Sequence, residues 1–262
     1  ITNIDDRNGL VMTQNCRARV LTYSTHSMAD FRGKILQEGF DGMLLRVQST
    51  LGAVNTEVFV PLVGRFNVSN LLLIYGAAVA LGEDAMEVLR VLSGLQPVNG
   101  RFETIHSPKG WTAVIDYAHT PDAVENVLKT INEIVAANAH RKATPTQVIT
   151  VVGTSGNRDK GKRPEMAKIA YKASQQLIIT SDNPRFEKPE DIINDMMQGL
   201  DKEEQKQVIC IENREQAIKT ACRLAKAGDL ILVAGKGHEN YQEIEGVKHP
   251  FNDKAILENL LK

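Results

Sequence analysis

Side chains able to hold charged small molecules recur beside glycine or proline at four places in this 262-residue chain. Asp116 and His119 lie in Asp116-Tyr117-Ala118-His119-Thr120-Pro121-Asp122, and Arg158 lies in Gly156-Asn157-Arg158-Asp159-Lys160-Gly161-Lys162-Arg163. Asp182, Asn183 and Arg185 share Ser181-Asp182-Asn183-Pro184-Arg185, while Gly235-Lys236-Gly237-His238-Glu239 adds a lysine, an imidazole and a carboxylate. A guanidinium fork takes a carboxylate or phosphate in two parallel hydrogen bonds, so the basic stretch around Arg158 suits an anion. Taken singly, each stretch has a plainer reading. Asp122 could cap a helix, Asp182-Asn183-Pro184 could be a turn, Lys236 could sit on a solvated tip, and His119 could be structural. Their joint placement decides for a ligand site.

That placement comes from the elements around them. Gln147–Val152 is an apolar, β-branched run of the kind found in strands buried on both faces of a parallel sheet. From residue 99 the pattern alternates: strand 111–116, helix 122–137, strand 147–152, helix 163–173, strand 176–180 and helix 190–199. Strand 208–211, helix 214–225, strand 230–234 and a last helix 253–261 complete it. Strands separated by helices predict an α/β fold with a doubly wound, mostly parallel sheet. The loops after Asp116, Val152, Thr180 and Ala234 then gather at the carboxyl edge, where such sheets bind ligands.

Residues 1–98 predict a separate α/β part, with strands at 17–23 and 56–63 and helices at 28–38, 68–81 and 85–95. Pro97-Val98-Asn99-Gly100 is the expected linker. The chain opens on Ile1 rather than Met, which reads as a fragment. Net charge −1 argues against a nucleic-acid or membrane-surface role. Cys16, Cys210 and Cys222 form no C-x-x-C pair and suggest neither a disulfide framework nor a thiolate metal site. A reducing cytoplasm fits. The longest apolar run, 71–81, is too short to span a bilayer.

Gly156 to Lys162 also satisfies G-x-x-x-x-G-K after a strand, the form of a phosphate-binding loop. Arg163 stands where that motif needs a Ser or Thr hydroxyl for Mg²⁺, Pro164 follows, and Asp159 puts a carboxylate inside the cradle. The expectation is an anion-binding loop that is not a phosphate loop.

The stretches 116–122, 156–164, 181–185 and Ala234 to Gln242 resemble the Mur ligases in order and spacing, as do Asn3-Ile4-Asp5-Asp6 and Gly64 to Asn70 in the first part. The resemblance is to the branch that adds meso-2,6-diaminopimelate to a UDP-muramoyl dipeptide in peptidoglycan synthesis. It implies ATP-dependent formation of an amide through an acyl phosphate, with ATP and Mg²⁺ required. By resemblance Arg158, Asp182, Asn183, Pro184, Arg185, Gly235 and Glu239 contact diaminopimelate. Asn67, Asn70, Arg101, Asp116 and His119 match positions around ATP, Asp116 and His119 also standing as the catalytic candidates. It further implies that 1–98 is the back part of the family's central ATPase domain and 99–262 its amino-acid-binding domain. The UDP-sugar domain and the G-T-x-G-K-T phosphate loop find no counterpart in these residues, no residue here is assigned to a metal, and the expected state is a monomer without nucleic-acid or membrane partners. Three other readings stand beside it: an amino-acid-binding fragment without catalysis, a phosphate-loop nucleotide-binding protein, and a related ligase for another amino acid.

Overall fold

The computed structural model describes residues 1–139 and 146–261. The chain divides into two compact units, Ile1–Pro97 and Val98–Lys262.

In the first unit five strands, β1 (Thr2–Asn3), β2 (Thr22–Ser24), β3 (Phe31–Gly39), β4 (Gly42–Ser49) and β5 (Val54–Val60), form one sheet in chain order. The β1–β2 and β2–β3 pairs are parallel, and the β3–β4 and β4–β5 pairs are antiparallel. Two helices, α1 (Arg65–Ala80) and α2 (Ala85–Ser93), bury Val68, Leu71, Leu72, Tyr75, Leu89 and Leu92 in one core with Phe31, Met43, Leu45 and Val47. Phe31 and Tyr75 meet edge to face with centroids 5.7 Å apart.

The helix expected over 28–38 is instead strand β3. Its apolar residues repeat with period two, Phe31, Gly33 and Ile35, and Gly33 lets α1 close down on the strand. A Cβ there would stand 3.0 Å from Val68 Cγ1 and 3.2 Å from Leu72. Strand β4 escaped the sequence pattern. The strand expected over 17–23 shrinks to β2, and the one over 56–63 sits earlier, as β5.

The second unit follows the predicted alternation closely. Its strands are β6 (Glu103–His106), β7 (Thr112–Asp116), β8 (Val148–Val152), β9 (Gln176–Thr180), β10 (Ile209–Ile211) and β11 (Leu230–Ala234), and its helices α3 (Pro121–Asn138), α4 (Lys162–Ala173), α5 (Pro189–Met197), α6 (Lys202–Gln205), α7 (Arg214–Leu224) and α8 (Asp253–Asn259). A hairpin, β12 (Tyr241–Ile244) and β13 (Val247–Pro250), forms a separate two-stranded ribbon. Neither it nor β6 was expected. The sheet order is β10-β9-β8-β11-β7-β6, parallel except for β6, which pairs antiparallel with β7. Every residue of β8 and β11 is buried, as a sheet covered on both faces requires. Because β11 lies between β7 and β8, the strand order reverses there, and the crevice at the carboxyl ends of β7, β11 and β8 is the switch point of the fold.

Buried charge locks the helices to that edge. Arg214, 1% exposed at the start of α7, donates Nε to Asp253 Oδ1 at 2.9 Å and Nη2 to Asp253 Oδ2 at 2.8 Å and to the Ala234 carbonyl at 3.0 Å. One ion pair thereby joins α7, α8 and the end of β11. Arg163, fully buried in the first turn of α4, donates to Glu187 and to Asp195 Oδ2, tying α4 to the segment after β9 and to α5. The Arg163 guanidinium, aided by the Asn157 N–H and Lys160 and opposed by burial, holds the Glu187 carboxyl down to about 2.

Two outcomes follow from these pairs. Asp253→Ala leaves a guanidinium buried without its counter-charge and is expected to cost about 3–5 kcal/mol, a fall in Tm of roughly 10 °C read by calorimetry. Glu187 lies below the ordinary carboxylate value when folded, so its contribution is complete above about 4.5 and is lost as pH falls toward about 2. Denaturant melts at successive pH values should therefore show Glu187→Gln less stable than wild type at neutral pH, with the gap closing over that window.

Candidate functional site

Four loops at the carboxyl ends of β7, β8, β9 and β11 carry the residues singled out by the sequence. After β7, Thr120 caps α3 by accepting the Ala123 N–H, with Pro121 in the first turn, so Asp122 is not the cap. Asp116 Oδ2 accepts the Phe102 N–H at 2.8 Å, and burial pushes its carboxyl up against the pull of the Phe102 and Ala118 N–H groups and of Arg101. The Tyr117 ring lies between His119 and His238, at centroid distances of 4.6 and 5.0 Å, with the Arg101 guanidinium 4.8 Å from its centre. His119 Nδ1 meets the Tyr117 carbonyl at 2.7 Å, which leaves Nε2 outward. Among the described residues no hydrogen bond joins Asp116 to His119. Gly237 is required where this loop meets the loop after β11: at φ 51°, a Cβ there would stand 2.7 Å from the Gly100 carbonyl.

After β8, the basic loop folds against the loop after β9. The Gly156 N–H donates to the Asn183 carbonyl at 2.8 Å, and a Cβ at Gly156 would stand 1.9 Å from the Pro184 carbonyl, so only glycine fits. Lys162 Nζ donates to the His119 carbonyl at 3.1 Å. Arg163 is engaged in its buried ion pair, and Asp159 caps Gly161 within the loop. Arg158 is exposed, with no partner for its guanidinium among the described residues.

After β9, Asp182 and Asn183 are 3% and 2% exposed. Asp182 Oδ2 accepts from Ser155 Oγ at 3.3 Å, and Asn183 Nδ2 donates to Glu239 Oε2 at 2.9 Å. Arg185 adopts φ 53°, donates Nε to Glu243 Oε2 at 3.2 Å and Nη1 to the Gly156 carbonyl at 2.8 Å, and keeps Nη2 without a partner. Its backbone bridges to Ile244, which carries the β12–β13 hairpin up to the site. Gly235, at φ 118°, lies 3.6 Å by its would-be Cβ from Asp182 Oδ2.

Thus Arg158, Asp182, Asn183, Pro184, Arg185, Gly235 and Glu239 belong to adjoining loops of one edge, Asp116 and His119 to the neighbouring end of β7 and its loop, and Arg101, from the segment before β6, packs against Tyr117 there. Asn67 and Asn70 lie in the first unit at the start of α1, where Asn67 Nδ2 donates to the Val63 carbonyl. Sequence reasoning passed over Lys236, which is no solvated tip: it is fully buried, and its ammonium faces Asn183, Glu239, Tyr241 and Asp182. It also missed Thr154, whose buried Oγ1 has no hydrogen-bond partner, and Glu243. The one clue to Lys236 was its place between two glycines at a strand end. The charges suit an ammonium beside the Asp182 and Glu239 carboxylates and a carboxylate at Arg158 and Arg185. No cluster of His, Cys, Asp and Glu among the described residues could hold a metal ion. No helix among them is long and apolar enough to cross a membrane.

Comparison with known proteins gives the chain's family. The Mur ligase middle domain matches residues 1–79. A protein of Phocaeicola vulgatus named UDP-N-acetylmuramoyl-L-alanyl-D-glutamate--2,6-diaminopimelate ligase is 59% identical over 260 residues, covering 99% of this chain and 51% of that protein. A Clostridioides difficile protein of the same name is 39% identical over 267 residues, with coverage of 100% and 52%. A solved structure under that name shares 37% identity at a TM-score of 0.69 and covers 99% of this chain and 52% of its own. The chain spans about half the length of the curated relatives it matches. At 11% identity, the Acinetobacter baumannii UDP-N-acetylmuramoylalanyl-D-glutamyl-2,6-diaminopimelate--D-alanyl-D-alanyl ligase has the same fold, with a TM-score of 0.64 over 99% of this chain and 50% of that one. With the glutamate ligase domain model of the Mur ligases matching residues 100–237, more than half of its length, this chain belongs to the Mur ligase family.

Proposed function

We propose that this chain is the acceptor-binding part of an ATP-dependent ligase that joins meso-2,6-diaminopimelate to UDP-N-acetylmuramoyl-L-alanyl-D-glutamate. Residues 99–262 are the amino-acid-binding domain in this reading, and 1–98 a portion of the ATPase domain. The observation that carries it is the joining of Asp182, Asn183 and Glu239 into one buried polar network beside Arg185 and the exposed Arg158. Diaminopimelate has an ammonium and a carboxylate at each end. It therefore needs acidic acceptors and guanidinium forks a short distance apart. The names of the relatives support this choice over an amino acid with a neutral side chain.

A free carboxylate is a poor electrophile, so ATP first makes an acyl phosphate of the D-glutamyl side-chain carboxylate. The amine nitrogen then forms the C–N bond as the C–O bond to phosphate breaks. The residues of this chain serve the second event by holding the amine in line and shedding its water. Asp182 and Glu239 take ammonium, Arg158 and Arg185 take carboxylate, and Arg101 with the Tyr117–His119 pair forms a cationic, aromatic edge suited to the nucleotide. Mg²⁺ and the β- and γ-phosphates are assigned to the part of the relatives' length outside this chain. A phosphate loop at Gly156–Lys162 is disfavoured, since Lys162 donates to the His119 carbonyl and Arg163 is engaged with Glu187 and Asp195. The reading includes cytoplasmic location and action as a monomer.

The 262-residue chain is expected to bind meso-diaminopimelate in a calorimetric titration, yet to form no amide when given ATP, the UDP-muramoyl dipeptide and diaminopimelate. Product above background would overturn the assignment of the donor machinery elsewhere, and absence of binding would overturn the acceptor site. Lysine lacks the distal carboxylate and would set an ammonium against Arg185. A charge-assisted pair contributes about 1.5–3 kcal/mol, so Arg185→Ala in the full-length enzyme should lower kcat/KM for diaminopimelate by roughly 10- to 100-fold and leave KM for ATP nearly unchanged. An intact preference for diaminopimelate over lysine in that variant would move the specificity to another residue.

A further inference from the structure

Lys236 has three N–H donors on its ammonium and no acceptor. All three are spent: 2.9 Å to Asn183 Oδ1, 2.7 Å to the Tyr241 carbonyl and 3.2 Å to Glu239 Oε2. Asp182 Oδ1, also 3.2 Å from Nζ, is paired by charge alone and keeps no hydrogen-bond donor. A fully buried ammonium so enclosed has no proton to offer a ligand. What it sets is the state of the groups around it.

Asn183 shows how. Its Oδ1 accepts from Lys236 and from the Glu243 N–H at 2.9 Å, which fixes the amide orientation and aims Nδ2 at Glu239 Oε2. Glu239 Oε2 thereby receives two donors, and Oε1 receives none among the described residues. Two acceptor oxygens of this network, Asp182 Oδ1 and Glu239 Oε1, thus lack hydrogen-bond donors. The charges follow the same logic. Two carboxylates share one lysine, so the deficit is a single positive charge, which is what one substrate ammonium brings.

We propose that Lys236 is a positioning residue for the acceptor amino acid: it holds Asn183 and Glu239 so that Glu239 Oε1 receives one ammonium of the ligand, with the buried Asp182 charge behind it. This rests on the acceptor-site reading above. Lys236 takes no part in bond making. Its removal leaves the Asp182 and Glu239 carboxylates without their shared cation and frees the Asn183 amide to turn.

The test is titration calorimetry of meso-diaminopimelate into the 262-residue chain as wild type, Lys236→Met, Glu239→Gln and the double variant, with a thermal melt of each. Lys236→Met is expected to bind at least about tenfold more weakly, the scale of one charge-assisted hydrogen bond. If Lys236 acts through Glu239, the double variant should bind within about threefold of Glu239→Gln, whereas independent effects would multiply. Binding by Lys236→Met within about twofold of wild type, or multiplied losses in the double variant, overturns the proposal while leaving the acceptor site intact. No binding by wild type overturns the acceptor-site reading, and the role of Lys236 with it. Should Lys236→Met fail to fold, Lys236→Leu, which fills most of the space and donates to neither Asn183 nor Glu239, takes its place in the cycle under the same outcomes.

Discussion

A cation taken out of water must find its counter-charges inside the fold, and in the second unit three buried cations meet that demand at one edge of one sheet. Arg214 pairs with Asp253, Arg163 with Glu187 and Asp195, and Lys236 with Asp182 and Glu239. All of these pairs but Lys236–Glu239 join residues far apart in sequence, so each of those closes a long loop near the carboxyl ends of the strands. Leaving one member of such a pair alone in the interior costs more than an ordinary cavity. The edge therefore has few alternative arrangements. That rigidity is what a site holding a small zwitterion needs, because a displaced acceptor group loses both its hydrogen bond and its alignment for attack.

The second unit was legible in the sequence because its strands are continuous apolar runs and its helices are separated by glycine, proline and short polar loops. Gln176–Thr180 and Leu230–Ala234 coincide with the strands expected there. The first unit was legible mainly in its two helices, α1 and α2, and β3 shows why its sheet was not. Phe31-Arg32-Gly33-Lys34-Ile35 carries charges on its open face and a glycine where α1 presses down, so the apolar signal is thin. Nor did local sequence reveal the β12–β13 hairpin, whose place depends on the bridge from Ile244 to Arg185. At the candidate site, residue type and loop position anticipated which loops the fold brings together. They could not distinguish an exposed cation such as Arg158 from buried ones such as Lys236 and Arg163, because burial of charge is decided by partners distant in sequence.

The near-miss phosphate loop makes the same point from the other side. Gly156 to Lys162 has the glycine spacing and the lysine of a phosphate cradle after a buried strand, and the motif breaks only at Arg163, where it needs Ser or Thr. Three tertiary facts turn it to another use. Gly156 is glycine because the Pro184 carbonyl occupies the space of a side chain, Lys162 is spent on the His119 carbonyl, and the next residue is an arginine committed to two carboxylates. A Ser or Thr at 163 would leave Glu187 and Asp195 without their common cation. The arginine that spoils the motif is thus the one that holds the loop after β8 against the segment after β9. With that seam closed, Asn183 and Arg185 come beside Gly156, and Arg158 is left exposed on the loop with no partner for its guanidinium among the described residues.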